Sequence, residues 1–229
     1  MGMVVMVRKQ KVIEHFDQHI GVSFPHRFEK SYIQSEIRPD DTIIDLGCGI
    51  GQTTLEFAEH LTAGGSILGI DLSKNRIKEA NILLKKSVFK DRAKFRIGDI
   101  ESLDLGDASA SLIISQGVLL HVVDKQSAVD EMYRILLPGG RAIVSLAALV
   151  DGNPLGWETD STGVPIEWLP IYRYEEMFTE AGFKIRLYFD LAPQMKEALK
   201  GMEGRVGSAA LQVPDNWCYA LWILVKSSN

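Results

Sequence analysis

Cysteine is scarce in this chain of 229 residues, which contains only Cys48 and Cys218. Two distant cysteines are too few for a disulfide framework or a cysteine-ligated metal site, so we expect no bound metal. The sequence also lacks an apolar run of the ~18–20 residues that a membrane-spanning helix requires. Residues 1–7 are apolar, but the charges follow them, and Met6 stands where a myristoylation signal needs Ser or Thr. We therefore expect a reduced, cytoplasmic protein without a membrane partner.

Basic residues are fewer than acidic ones: the chain has 25 Lys and Arg and 30 Asp and Glu, which gives a net charge of −5. An acidic chain has no general electrostatic attraction to nucleic acid or anionic lipid, so we expect neither as a partner. Apolar residues make up 46% of the chain and charged residues 24%, which is typical of a folded domain and not of a disordered segment.

Short apolar runs alternate with segments of helical periodicity along the chain. Several runs are apolar at consecutive positions, as expected for strands covered on both faces of a parallel sheet. The alternation predicts an α/β fold with a doubly wound sheet and helices on both faces. The predicted strands are 42–46, 66–71, 94–97, 111–114, 142–146, 184–189 and 219–225.

Helix signals separate these strands. Ser73 and Asp124 are placed to cap helices. Two segments with paired glycines are expected to end helices: 64–65 ends the one that begins near Gln52, and 138–140 ends the one that Asp124 caps. Further helices are predicted over 175–181 and 193–202. Lys74, Arg76 and Lys78 are predicted to form a solvated helix face.

The whole chain is predicted to be a single domain. An N-terminal helical segment, 8–41, is expected to lie over the site, followed by a ligand-binding core, 42–148. A lid-like insertion, 151–170, carries two tryptophans and is longer than most idle loops. Residues 171–229 are expected to complete the fold with helix and strand.

A glycine-rich turn, Asp45-Leu46-Gly47-Cys48-Gly49-Ile50-Gly51, follows the first predicted strand. Glycines let a backbone turn tightly and approach a ligand closely. Asp71 ends the next strand, at the sheet edge where ligands of doubly wound folds bind, and its carboxylate can accept both hydroxyls of a ribose. Taken alone, Asp71 fits a helix-capping role equally well.

The spacing of the turn is G-x-G-x-G, which differs from the G-x-G-x-x-G of dinucleotide sites. Asp45 stands at the front of the turn, where its charge would repel a pyrophosphate and attract a ligand with ammonium and sulfonium groups. Asp99 ends the third strand, where it can accept a hydrogen bond from an exocyclic amine such as that of adenine.

With these residues the chain resembles the class I S-adenosylmethionine (SAM)-dependent methyltransferases, in particular their small-molecule, type-11-like branch. The resemblance runs from about residue 42 to residue 144. It implies a Rossmann-like, seven-stranded, mostly parallel sheet whose last strand is antiparallel. Four motifs occur in the family's order: 42–51, 69–73, 96–100, and 115–122 followed by 134–140.

The resemblance also implies the cofactor-binding residues. The glycine turn would hold the methionine part through its backbone. Asp71 would hold the ribose diol, and Leu72 would pack on the adenine. Asp99 and the Ile100 amide would bind the adenine edge, and the two residues that end the fourth strand would lie near the transferred methyl. These residues are Asp45, Gly47, Cys48, Gly49, Gln52, Asp71, Leu72, Asp99, Ile100, Ser115 and Gln116.

His121 follows the fourth strand at the ligand edge and is the candidate catalytic base, because an unperturbed imidazole titrates at about pH 6.5. A packing or capping role explains this histidine equally well. Phe16, His19, Phe24, the His121 segment and the 151–170 insertion are expected to line an aromatic pocket of low charge for a small-molecule acceptor. Methyl transfer by direct displacement would leave S-adenosylhomocysteine as product.

Two other functions share parts of this pattern. An NAD(P)-dependent oxidoreductase would share the sheet and Asp71, but it needs the other glycine spacing and a catalytic pair that the chain lacks. A SAM-binding partner subunit without catalysis would keep every cofactor motif. The Asn/Asp-Pro-Pro-Tyr tetrad of amino-directed nucleic-acid and protein methyltransferases is replaced by Ser115-Gln116-Gly117-Val118, and the cysteine set expected of an arsenic methyltransferase is missing.

Overall fold

The computed structural model describes residues 2–18, 29–62, 64–159, 165–200 and 214–228. The helices in these ranges are α1 (Gly2–Gln18), α2 (Lys30–Gln34), α3 (Gln52–Ala58), α4 (Lys74–Lys86), α5 (Lys125–Ile135), α6 (Ile171–Glu180) and α7 (Ala192–Lys200). The strands are β1 (Thr42–Leu46), β2 (Ser66–Asp71), β3 (Ala93–Ile97), β4 (Ala110–Gln116), β5 (Leu136–Leu149), β6 (Gly156–Thr159), β7 (Pro165–Trp168), β8 (Lys184–Asp190) and β9 (Trp217–Val225). A short 3-10 turn, Leu119–His121, lies between β4 and α5.

Seven of the described strands form one sheet in the order β3-β2-β1-β4-β5-β9-β8. β1 pairs in parallel with β2 and β4, whereas β9 runs antiparallel to both β5 and β8. The last strand is therefore the antiparallel one, and it lies one place in from the edge strand β8. This confirms the predicted doubly wound, mostly parallel sheet.

Helices cover both faces of this sheet. Trp222 of β9 packs against Tyr174 and Phe178 of α6, with ring centroids 5.9 and 5.4 Å apart. Tyr219 lies an odd number of positions away on the same strand and so points to the opposite face. There its hydroxyl donates a 2.8 Å hydrogen bond to Glu29, directly before α2. Because both faces are covered, β9 is buried at seven consecutive positions (218–224).

The winding of the sheet reverses between β1 and β4. From β1 the chain leads outward to β2 and β3, and from β4 it leads to β5 on the other side. The connections after β1 and β4 thus leave in opposite directions and open a crevice at the carboxyl ends of both strands. The register pairs Leu46 with Ser115, so the glycine turn lies beside the end of β4.

Both predicted caps are confirmed. The Ser73 hydroxyl accepts a hydrogen bond from the Arg76 amide at the start of α4, at 3.1 Å. The Asp124 carboxylate accepts one from the Ser127 amide at the start of α5, at 3.0 Å. Each side chain satisfies an amide that has no partner within its helix.

Several helix boundaries differ from the sequence prediction, and α6, for example, begins at Ile171 instead of residue 175. α1 begins at Gly2 instead of residue 8. α3 ends at Ala58, before the expected 64–65, because the Thr62 amide bonds to the Pro39 carbonyl and draws the chain toward β1. α5 ends at Ile135, since residues 138–140 belong to β5, where the Gly139 amide donates to the Lys226 carbonyl.

The 151–170 insertion contains a β-hairpin. β6 and β7 pair antiparallel, from Gly156 opposite Trp168 to Thr159 opposite Pro165. Trp168 is buried, and a bridge between Leu149 and Pro170 ties the base of the hairpin to β5. The hairpin packs against the 3-10 turn after β4, so it stands at the ligand edge of the sheet. No helix in the described ranges has both the length and the apolar character needed to cross a membrane.

Candidate active site

The glycine turn after β1 has a backbone that only glycine adopts without strain. Gly47, Gly49 and Gly51 have φ angles of 74, 55 and 77°, in the left-handed region. A Cβ on Gly47 would overlap the side chain of Val118. The Gly47 and Cys48 amides both donate to the Ile70 carbonyl, at 2.7 and 3.1 Å, and thereby fasten the turn to the end of β2.

Asp71 is 8% exposed and joins the turn to α4. One carboxylate oxygen accepts from the Gly49 amide and the other from the Ser73 amide, each at 2.8 Å. Burial raises the pKa of Asp71 above its ordinary value, although these two amides and the Arg76 guanidinium oppose that effect. Two hydrogen bonds therefore fix the carboxylate of Asp71, the residue predicted to bind ribose, next to the glycine turn. The residue that caps α4 is Ser73.

Asp45 and Cys48 lie on the inner side of the turn. Asp45 is buried and accepts a hydrogen bond from the Thr54 hydroxyl of α3. Burial, together with the negative charges of Asp45 and Asp71, raises the pKa of the Cys48 thiol well above its ordinary value. A protonated thiol is a weak nucleophile, so the local geometry supports a backbone role for Cys48. Gln52 is exposed at the first position of α3.

Asp99 lies two residues after β3 and is paired with an amine from α1. Nζ of Lys9 forms ion pairs with Asp99 and, at 2.7 Å, with Glu101. Ile100 between these acids is buried. No local sequence pattern predicts the contact of Lys9 with Asp99 and Glu101, because Lys9 lies far from both acids along the chain.

The C-terminal end of α1 lies against the start of α4. Asp17 accepts a hydrogen bond from the Ser73 hydroxyl at 2.5 Å, and its carbonyl accepts one from Asn75 at 3.2 Å. The guanidinium carbon of Arg76 lies 4.2 Å from the centre of the Phe16 ring. Arg76 is thus half-buried beside Asp71, and the prediction of a solvated face is wrong for this residue. Lys74 and Lys78 are exposed, as predicted.

Ser115 and Gln116 end β4 beside the glycine turn. Ser115 is fully buried, and neither its hydroxyl nor Nε2 of Gln116 has a hydrogen-bond partner in the described structure. Ser145, which pairs with Gln116 across β4 and β5, is buried as well. Buried polar groups without partners are costly and mark positions where a ligand can supply the missing hydrogen bond.

His121 ends the 3-10 turn after β4. Its Nδ1 lies 2.8 Å from the Pro165 carbonyl of the hairpin, and its ring meets the Phe16 ring edge-on at 5.1 Å. Phe16 thus connects His121 with Arg76 and the ribose side of the site. His19 and Phe24, also predicted to line the acceptor pocket, lie outside the described residues.

The residues present fit SAM. Each oxygen of Asp71 accepts one backbone amide and keeps a lone pair for a ribose hydroxyl. The glycine turn places backbone without side chains beside the end of β4, where polar atoms of Ser115 and Gln116 have no hydrogen-bond partner in the described structure. Among the described residues there is no cluster of three metal-ligating side chains.

Comparisons with known proteins agree with this geometry. A family model described as a methyltransferase domain matches residues 37–182, which is more than half of the chain. The chain therefore belongs to the methyltransferase-domain family, and the predicted membership in the SAM-dependent methyltransferases is confirmed.

Relatives within this family include an arsenite methyltransferase from Halobacterium salinarum, 30% identical over 176 residues. That alignment covers 76% of this chain but 43% of the relative's own length, so the chain spans less than half of that protein. An O-methyltransferase, resE, from Aspergillus sclerotiorum is 26% identical over 75% of this chain and 68% of its own length. A solved geranyl diphosphate C-methyltransferase from Streptomyces coelicolor superposes with a TM-score of 0.73 at 16% identity, over 88% of this chain and 79% of that chain; it supports the fold alone.

Proposed function

We propose that this chain transfers the methyl group of SAM to a small organic acceptor by direct displacement. The observation that carries the proposal is the glycine turn tied through the Gly49 amide to Asp71, beside the unpartnered polar atoms of Ser115 and Gln116. When bound, SAM supplies an electrophilic methyl group on a positively charged sulfur.

The cofactor half of the site would hold SAM with few side chains. Asp71 accepts the two ribose hydroxyls, and Leu72 packs on the adenine. Asp99 and the Ile100 amide bind the adenine edge. The Gly47–Gly49 backbone and Gln52 lie along the methionine part, where the buried charge of Asp45 favours an ammonium group.

The acceptor half would orient the nucleophile behind the methyl carbon and exclude water, which lowers the barrier by proximity and by strengthening local electrostatics. Ser115 and Gln116 offer hydrogen bonds close to the transferred methyl. His121 takes the proton from an acceptor that carries one. The aromatic rings of Phe16 and Trp157 favour an organic molecule. With Cys48 and Cys218 as its only cysteines, the chain is a poor match for an arsenic acceptor.

Calorimetric titration tests the proposal directly. SAM and S-adenosylhomocysteine should bind at one site per chain, and NAD and NADP should not. SAM at about 100 times its dissociation constant should stabilise the folded chain by roughly 2.7 kcal/mol. Stabilisation by NAD without stabilisation by SAM would refute the assignment and favour an oxidoreductase.

A methyl-transfer assay separates the enzyme from a SAM-binding partner subunit. The chain should be incubated with methyl-labelled SAM and a panel of phenols, carboxylic acids, amines and thiols, and the labelled products identified. SAM binding with no transfer to any member of the panel would favour the partner-subunit alternative.

A further inference from the structure

The β6–β7 hairpin is attached at two points to the segment that follows β4. The Pro165 carbonyl lies 2.8 Å from Nδ1 of His121. Two residues along β7, Glu167 accepts a 2.6 Å hydrogen bond from Nζ of Lys125, which also donates to the Val122 carbonyl at 2.7 Å. Strand β7 therefore contacts both the candidate base, His121, and Lys125 four residues further along the chain.

The ion pair is a strong constraint because it is largely buried. The side chain of Lys125 is 3% exposed, and its ammonium also lies 4.8 Å from the centre of the Trp157 ring on β6. Burial lowers the pKa of Lys125, and Glu167 opposes that effect. A buried ammonium group that loses its carboxylate partner is costly, so Lys125 and Glu167 hold the hairpin on the start of α5.

The contact with Pro165 decides which nitrogen of His121 carries the proton. A carbonyl oxygen can only accept a hydrogen bond, so Nδ1 must be the donor. In a neutral imidazole the lone pair then resides on Nε2. The Phe16 ring packs against the imidazole at 5.1 Å and restricts its rotation.

We propose that Lys125 and Glu167 are positioning residues, which hold the Pro165 carbonyl on Nδ1 of His121 and thereby make Nε2 the basic nitrogen of the site. This inference rests on the proposed function, in which His121 is the base. Nε2 takes the proton of the acceptor, the electron pair of the acceptor forms the new bond to the methyl carbon, and the carbon–sulfur bond breaks to leave a neutral thioether. His121 afterwards returns its proton to water.

Nitrogen NMR of the imidazole rings tests this inference without any acceptor. The protein is labelled with ¹⁵N-histidine, and the His121 signals are assigned by comparison with His121→Gln. At a pH where the ring is neutral, we expect protonation on Nδ1 in the wild type. In Lys125→Met and Glu167→Gln, the population should move toward the Nε2-protonated form, which unconstrained histidines favour.

The matched control is Glu158→Gln, which removes an exposed carboxylate from the same hairpin and should leave the signals of His121 unchanged. Lys125→Arg should retain the wild-type tautomer, because it keeps a positive charge opposite Glu167. Circular dichroism checks that each variant is folded. Glu167→Gln keeps the size of the side chain and decides the question if Lys125→Met does not fold.

Two outcomes would overturn the inference: Nε2 protonation of neutral His121 in the wild type, or a wild-type tautomer in Glu167→Gln. Titration with SAM is a separate readout of the proposed function. A protein with the expected tautomer that does not bind SAM would support the positioning role of Lys125 and Glu167 but refute the proposed function. A protein that binds SAM with His121 in the other tautomer would support the cofactor site but refute that positioning role.

Discussion

The two halves of the candidate site are built in different ways. The cofactor half consists of the turn after β1 and the ends of β2 and β3, and its main contacts join backbone amides to Asp71. The acceptor half consists of α1, the 3-10 turn and the β6–β7 hairpin, which meet through side chains from distant parts of the chain. A site for a shared cofactor is thus made of local turns, and a site for a particular acceptor is made of long-range packing.

If the acceptor half carries out proton transfer, replacing His121 should lower turnover and leave cofactor binding nearly unchanged. His121→Ala should lower turnover by roughly 10²–10⁴-fold, because a positioned base is lost, with nearly unchanged affinity for SAM. The measurements are steady-state rates with an acceptor found in the panel and calorimetry with SAM. His60→Ala, at an exposed histidine near the end of α3, is the control. Retained turnover with reduced stability would instead indicate a packing role.

The matching change in the cofactor half is Asp71→Asn. It should weaken SAM binding by about 1.5–3 kcal/mol, or roughly 10- to 150-fold, because charge-assisted hydrogen bonds to the ribose are lost. Since burial raises the pKa of Asp71, the wild type should lose SAM affinity on acidification at a higher pH than an ordinary aspartate would cause. Calorimetry at several pH values measures both effects.

Asp91→Asn is a suitable control for this change, because Asp91 is exposed between α4 and β3. Wild-type affinity in a folded Asp71→Asn protein would mean that the ribose is held by another group.

The contrast between the two halves explains what the sequence predicted. The strands, their parallel arrangement and the turn with Asp71 follow from apolar runs, glycine spacing and the residue that ends each strand, all of which are local signals. The Lys9–Asp99 pair and the His121–Pro165 contact depend on how distant segments pack, and no local pattern encodes them. Arg76 is intermediate: the Ser73 cap predicts its place in the first turn of α4, but Phe16, which covers it, comes from another helix.

The halves touch at Gly47, and a substitution there tests how closely they are fitted. Gly47→Ala should destabilise the fold by about 1–2 kcal/mol from its positive φ alone, with a further cost because the new Cβ would overlap Val118. Chemical denaturation measures the loss. Gly106→Ala is the control, since a Cβ at Gly106 meets no atom within 4 Å. In the double variant with Val118→Ala, the steric part of the loss should be recovered; equal losses with and without Val118 would show that the two halves are not tightly packed at this point.

The smallest expected effect concerns Lys9, where α1 reaches into the cofactor half. Burial lowers the pKa of Lys9, but pairing with Asp99 and Glu101 outweighs this and raises it, so the ammonium stays charged and holds the carboxylate that the adenine amine would use. Lys9→Met should therefore tighten SAM binding, by about two- to fivefold, because a partly exposed ion pair contributes up to ~1 kcal/mol. The difference from wild type should shrink as salt is added. Lys11→Met, at an exposed lysine on the same helix, should bind SAM like the wild type. Weaker binding in Lys9→Met would instead place Lys9 among the groups that hold the cofactor, and α1 would then belong to both halves of the site.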